Sequence, residues 1–306
     1  MTVWPSVGVV VPTRDRPVSV RAAVAGVVAQ DYPGELAVVV VFDQAEPDPG
    51  VAGGDRRVQA LANDRSAGLA GARNTGILAL DTDLVAFCDD DDEWLPGKLT
   101  RQVRALLASP SAEFASCGIA VRSGGRTSVR TASRGEVSYR ELLRSRMVMV
   151  HSSTYLVVRS ALLDGNDGIG LVDESIPGSQ NEDWDLALRA ARRRPIVNVD
   201  EPLVRVTWTT DSYYAQHWES KVAGLRWMLA RHPDIARSRA GAARVYAQIA
   251  FGYACMGKRR ESGRWAAMAV RSNWHERRLP LVAAVASGAV SGERLLAALH
   301  ARGHGI

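Results

Sequence analysis

A chain of 306 residues with 46% hydrophobic and 23% charged residues is too apolar for a disordered protein and large enough for one sizeable core, or for a catalytic domain with an appendage. The formal net charge of +5 is a small excess carried almost wholly by Arg, with Lys only at 98, 221 and 258, and this argues against a nucleic-acid-binding face. Cys88, Cys117 and Cys255 lack the paired spacing of zinc sites, so reduced thiols and a cytoplasmic setting are expected.

The chain runs into a strand almost at once, with no basic and apolar leader. Residues 7–11, Val-Gly-Val-Val-Val, read as a fully buried strand stopped by Pro12. Val20, Val24, Val27 and Val28 then recur at helical spacing over 19–30, and a second buried strand covers 36–41. Continuous rather than alternating apolar runs on both sides of a helix predict a parallel sheet covered on both faces. A short third strand is expected within 55–61, then a helix over 68–80 carrying Gly71 and Gly76 for close approach. Residues 81–88 form a further buried strand, so this half reads as a nucleotide-binding unit of β-α-β type.

That strand runs into Asp89, Asp90, Asp91, Asp92 and Glu93, followed by Trp94, Leu95 and Pro96. Carboxylates this close raise one another's pKa unless a cation neutralises them, and a hard divalent ion with oxygen ligands is the natural counter-charge. The carboxyl end of a strand in an open α/β sheet is also where such sheets bind ligands. The alternative is a solvated acidic turn before the helix at 99–108. Further strands are expected over 113–121 and 154–158, with a turn at Gly124 and Gly125 between them. A loop rich in Gly, Asp and Ser over 164–181 ends at Glu182-Asp183-Trp184-Asp185, where a helix begins and runs to Arg194; carboxylates also suit a first helical turn for purely structural reasons. Beyond about residue 210 the pattern is helical with no clear strand. The apolar run 279–290 is broken by Pro280 and Gly288 and is too short to span a bilayer, which leaves only peripheral membrane contact.

Taken in order, these features resemble the inverting family 2 nucleotide-sugar glycosyltransferases of GT-A fold, over roughly residues 5–210, with a helical region over 211–306. The resemblance rests on Val9-Val10-Val11-Pro12-Thr13 with Asp15-Arg16-Pro17, Ala29-Gln30-Asp31-Tyr32-Pro33, Val39-Val40-Val41-Phe42-Asp43, Gly71-Ala72-Arg73-Asn74-Thr75-Gly76, the acidic cluster, and Asp173-Glu174-Ser175 leading to Glu182-Asp183. It implies an α/β fold with a mostly parallel Rossmann-like sheet and a C-terminal helical extension. It implies a nucleotide held by Pro12, Thr13, Asp15, Arg16, Asp43, Arg73, Asp89 and Asp90, with Asp43 accepting from a ring N–H of the base; Phe42 stands where the family usually has another acid.

The cluster would then be the family's Asp-x-Asp motif, with Asp91 and Asp89 on Mn²⁺ or Mg²⁺, Asp92 and Glu93 as loop and helix-leading residues, and His217 as a loose guess for a third ligand. Asp183 would be the catalytic base, with Glu182, Trp184 and His151 on the acceptor side. The implied substrates are a nucleotide-diphosphate sugar, UDP-sugars first, and a hydroxyl acceptor. A sugar-1-phosphate nucleotidyltransferase fits less well, because Pro12-Thr13-Arg14-Asp15 replaces the Gly-rich basic loop such enzymes carry, and a scaffold without turnover is the remaining alternative. The basic stretch 258–306, with Trp265 and Trp274, suits either an anionic membrane surface or helix packing on the catalytic domain or a second subunit.

Overall fold

Seven consecutive buried residues, Val7–Thr13, form β1, an interior strand of a ten-stranded sheet. The computed structural model describes residues 3–208 and 217–300. Helix α1 (Pro17–Val28) leads to β2 (Leu36–Phe42) and then β3 (Val58–Ala62), and helix α2 (Leu69–Ala79) returns the chain to β4 (Leu84–Phe87) on the other side of β1. These four strands are parallel, in the order β3-β2-β1-β4. The order reverses between β1 and β4, so their carboxyl ends open a crevice at the switch point where open α/β sheets bind ligands.

The Val-rich runs have no polar face because both faces of this half are covered. Val10, Val39, Val41, Val85 and Phe87 enter one core, beneath α2, while Val9, Val11, Val38, Val40 and Ala86 enter the other, with Val20, Val24 and Val27 of α1. Gly71 and Gly76 set the closeness of α2. A Cβ at Gly76 would lie 2.4 Å from Val10 Cγ1, and one at Gly71 only 1.9 Å from the Ser66 carbonyl oxygen. A backbone carbonyl cannot change rotamer to relieve the overlap, so Gly71→Ala is expected to cost about 1–3 kcal/mol, read as a lower urea midpoint at unchanged slope.

The rest of the sheet is mixed. After β5 (Glu93–Trp94) and α3 (Lys98–Leu107) come the long β6 (Phe114–Ser123) and its hairpin partner β7 (Arg126–Arg130), turned by Gly124 and Gly125. Strand β8 (Glu136–Val137), α4 (Tyr139–Arg144), β9 (Leu156–Val158), α5 (Arg159–Leu163), α6 (Glu182–Arg193) and β10 (Ile196–Thr207) follow. Strand β9 lies antiparallel between β4 and β6, and β10 runs parallel to β6. Strand β10 is absent from the sequence reading. Asn198, Asp200, Glu201 and Pro202 break its apolar run, and the ladder absorbs them by shifting register on either side of Pro202.

Helices α7 (Trp218–Arg231), α8 (Asp234–Arg237), α9 (Arg239–Cys255), α10 (Arg259–Ser272), α11 (Leu279–Ala286) and α12 (Gly292–His300) complete the chain. Helix α9 packs against α7, α10 and α11 and also reaches α4. Val222, Met228, Val245 and Ile249 join the same core as Val10 and Trp184, so these helices are continuous with the sheet's hydrophobic interior. No helix among the described residues is long and apolar enough to cross a membrane, and Cys88, Cys117 and Cys255 are free thiols.

Candidate active site

The acidic run leaves the end of β4 and faces the end of β1 across the switch point. Thr13 Oγ1 donates to Asp90 Oδ2 at 2.7 Å, and Arg16 Nη1 donates to Asp90 Oδ1 at 2.9 Å and to Asp91 Oδ2 at 2.7 Å. Asp15 adopts a left-handed φ of 54°, which turns the chain between Thr13 and Arg16; its side chain is exposed, and Pro12 is simply a buried β1 residue paired with Val41. Asp43, at the end of β2, is buried. Its Oδ1 accepts from Asn63 Nδ2 at 2.8 Å and from the Gly68 backbone N–H at 3.0 Å, and its Oδ2 accepts from Gln44 Nε2 at 3.1 Å. Asp43 therefore ties the β2 end to the loop leading into α2.

Arg73, fully enclosed on α2, is the cation between the two halves of the site. Its Nη2 donates to Asp89 Oδ1 at 2.6 Å and its Nη1 to Glu182 Oε1. Asp89 also accepts from Ser152 Oγ at 2.8 Å, and its backbone N–H donates to Ser153 Oγ at 2.9 Å. Burial alone would raise the Asp89 carboxyl, but Arg73 and then His151 pull it below its usual value. For Glu182 burial wins over Arg73, with Asp183 adding repulsion, and its carboxyl is pushed up to about 7.

Asp92 departs from the loop and helix-leading role expected of it. Helix α3 starts six residues later behind Gly97, and Asp92 is buried with Oδ2 accepting from Ser153 Oγ at 2.5 Å and lying 3.5 Å from His151 Nδ1. Burial and then Asp89 push its carboxyl well above the ordinary range. Asp89, Asp92 and His151 offer ligand atoms all within 4.8 Å of one another, whereas Asp91 is half-exposed at the crevice mouth. His151, expected beside the acceptor, thus stands with the carboxylates. His217 is an exposed residue heading α7.

This donor set fits a divalent cation. Asp89, Asp90, Asp91 and Glu182 converge on two guanidinium groups, Arg16 and Arg73, and Asp92 stands beside them on Ser153 and His151, so carboxyl groups outnumber the guanidiniums in a way that hard oxygen-seeking ions balance.

Asp183 lies in the first turn of α6, where the helix N-terminus favours a carboxylate. Arg146, on the segment after α4, forks it: Nη2 donates to Oδ1 at 2.8 Å and to Oδ2 at 2.6 Å, and the Trp184 backbone N–H donates to Oδ1 at 2.7 Å. Burial presses the Asp183 carboxyl upward, yet Arg146 and then His151 hold it below its usual value, so it is ionised and ready to accept a proton. Arg146 is not among the residues singled out in the sequence; it meets Asp183 from 37 positions away. Trp184 is corrected in the other direction. Its ring is 1% exposed, its Nε1 donates to the Leu142 carbonyl at 3.1 Å, and Arg244 covers one face, so no sugar can stack on it.

Comparisons with known proteins bear on the family and the fold. The family model described as Glycosyl transferase family 2 matches residues 8–163, just over half of the chain. A 103-residue stretch, 33% of this chain, is 28% identical to UDP-Glc:alpha-D-GlcNAc-diphosphoundecaprenol beta-1,3-glucosyltransferase WfgD of Escherichia coli and spans 41% of that protein. Among solved structures, S. aureus TarS 1-349 in complex with UDP-GlcNAc superposes with a TM-score of 0.61 at 16% identity, over 98% of this chain and 92% of that one. Mannosyltransferase PcManGT from Pyrobaculum calidifontis, in complex with GDP-Man and Mn²⁺, gives 0.52 at 17% identity, over 98% and 85%.

Proposed function

The chain belongs to glycosyl transferase family 2, and from that premise we propose that it moves a sugar, with inversion, from a nucleotide-diphosphate sugar to a hydroxyl group of an acceptor in a metal-dependent reaction. The observation that carries the reading is the convergence, in one crevice, of the Asp89–Asp91 carboxylates, Arg73 and the ionised Asp183. Asp43 and Thr13 line the base side of the donor, and UDP-sugars are the first choice because TarS is known with UDP-GlcNAc and WfgD is named for UDP-Glc. PcManGT, with GDP-Man, makes GDP the second.

Asp91 and Asp89 would hold Mn²⁺ or Mg²⁺, with Asp92 and His151 behind them as inner donors. Once bound, the ion supplies Lewis-acid stabilisation of the negative charge that grows on the departing nucleoside diphosphate. Arg16 and Arg73 keep Asp89, Asp90 and Asp91 oriented in the meantime. Asp183 takes the proton of the acceptor hydroxyl as the oxygen attacks the anomeric carbon from the face opposite the diphosphate. Glu182 holds its proton near neutrality and remains on Arg73, which separates its role from that of its neighbour.

Calorimetric titration with UDP, GDP and dTDP, with and without Mn²⁺, tests the reading. One nucleotide is expected to bind only with metal, to lose at least tenfold in affinity in Asp91→Ala, and to bind normally to Asp183→Asn. Absence of binding by all three nucleotides under every metal condition would leave a scaffold.

The base also makes a pH prediction. In Arg146→Gln the largest opposing charge is gone and burial acts on Asp183 against only His151 and Arg73, so its pKa rises. Because activity is lost as pH falls through the pKa of a base, the acidic limb of the kcat/KM profile is expected to move to higher pH by at least one unit. A limb at the wild-type position would remove Arg146 from the account.

A further inference from the structure

Against the Trp184 ring and near it lie two arginines, Arg244 and Arg278, that the reaction above does not use. Arg244, on α9, stacks its guanidinium over the Trp184 ring at 4.7 Å from the centroid, and the residue is only 7% exposed. Its Nη1 reaches Gln248 Oε1 at a long 3.5 Å, while its Nε and Nη2 are buried without a hydrogen-bond partner among the described residues. Arg278, at the head of α11, donates from Nη1 to Glu276 Oε1 at 2.7 Å, but its Nε is likewise buried and unpartnered. Arg278 and Arg146 are the like charges that press on Arg244.

Burial first, and then those two neighbours, bring the Arg244 pKa down to about 9. The acids at hand are already engaged: Glu276 with Arg278, and Asp183 with Arg146. A buried guanidinium with two idle nitrogens is costly to keep, and an apolar side chain of the same volume would avoid the cost. What offsets it is an anion with several oxygens, because planar guanidinium forks match phosphate in a way a single point charge does not.

We propose that Arg244 and Arg278, with Arg146 at the rim, bind a phosphate or diphosphate group carried by the acceptor. This rests on Asp183 being the base. Arg146 pairs with Asp183 and is also one of the charges that act on Arg244, so an anion held by Arg244 and Arg146 lies close to the place where the acceptor hydroxyl must be. The acceptor is then a phosphorylated saccharide, anchored by its charged end and presenting its hydroxyl to Asp183. Arg244 and Arg278 belong to the C-terminal helices and Arg146 to the sheet domain, so the helical region supplies part of the acceptor site.

The test uses the whole protein loaded with UDP and Mg²⁺, so that the donor's own phosphate subsite is filled, and reads inorganic phosphate by the rise in thermal midpoint of each protein against its own baseline. Wild type is expected to show a saturable rise. In Arg244→Met and in Arg278→Gln, the latter at a partly exposed side chain that tolerates change, phosphate affinity is expected to fall at least tenfold while UDP affinity stays within twofold. A second arm offers phosphatidylcholine vesicles carrying farnesyl diphosphate; Arg244-dependent binding to them marks a lipid-borne phosphate as the source, and binding of soluble phosphate alone marks a soluble acceptor. Equal phosphate affinity in all three proteins, no binding to the wild type, or the same rise with acetate would overturn the proposal. Failure of UDP itself to bind would instead strike the donor reading, and the phosphate comparison without nucleotide would still judge the arginine site.

Discussion

Replacing Asp183 with Asn is expected to lower kcat by about 10²- to 10⁴-fold, the usual contribution of a positioned general base, while the KM for the donor changes little. The substitution keeps the size of the side chain and its place in the first turn of α6, and it removes the negative charge and with it the capacity to accept a proton. Two of the three polar contacts at this carboxylate come from Arg146, whose side chain is 43% exposed, so water can solvate the guanidinium once the charge opposite is gone. The cost to folding is therefore about 1 kcal/mol or less. Turnover by direct product detection, alongside UDP titration and a thermal melt, separates the outcomes. A large loss of kcat with normal UDP affinity and a normal melt assigns the proton transfer to Asp183. Wild-type turnover would move the base elsewhere, with Glu182 next in line because its carboxyl titrates near 7.

The parts of the site that were legible in the sequence are those whose chemistry is local. The strand carrying Val9, Val10 and Val11, the run into Asp89, and the acids opening α6 all announce themselves within a few residues, because burial on both faces and helix-terminal charge act at short range. Gly71 and Gly76 were readable for a similar reason, as small residues in a helix pressed on a strand. What stayed hidden depends on partners far along the chain. Asp92 looks like a surface acid until Ser153 and His151 arrive 61 and 59 positions later to enclose it. Arg146 and Arg244 look like ordinary surface arginines until α4, α6 and α9 are packed together. Strand β10 was masked by its own proline and acids, which a bulged ladder tolerates and a period-two pattern does not.

Arg73 carries the second large effect. Arg73→Ala is expected to destabilise the fold by about 3–5 kcal/mol, because it strands the buried Glu182 and the mostly buried Asp89 carboxyl at once. Asp89 loses a 2.6 Å partner and Glu182 loses the guanidinium it is paired with, in a place where water does not reach the arginine they share. The pH dependence identifies the cause. In the wild type, the depressed Asp89 carboxyl adds stability above its ordinary pKa that is lost as pH falls.

In the variant, burial acts on Glu182 without its guanidinium and on Asp89 against only His151 and Ser152, which raises both folded pKa values and takes them above the unfolded ones near 4. A carboxyl with a raised folded pKa binds its proton more tightly in the native state, so stability declines as pH climbs from about 4 toward the folded value. The deficit of Arg73→Ala relative to wild type should accordingly be largest at pH 8 and shrink toward pH 5, measured by urea unfolding across that range. A deficit independent of pH would point instead to lost packing against the Phe87 ring, which the guanidinium overlies at 5.8 Å. Adding Glu182→Gln to Arg73→Ala should restore part of the loss at pH 8 and almost none at pH 5, because the amide removes the stranded charge only where that charge exists.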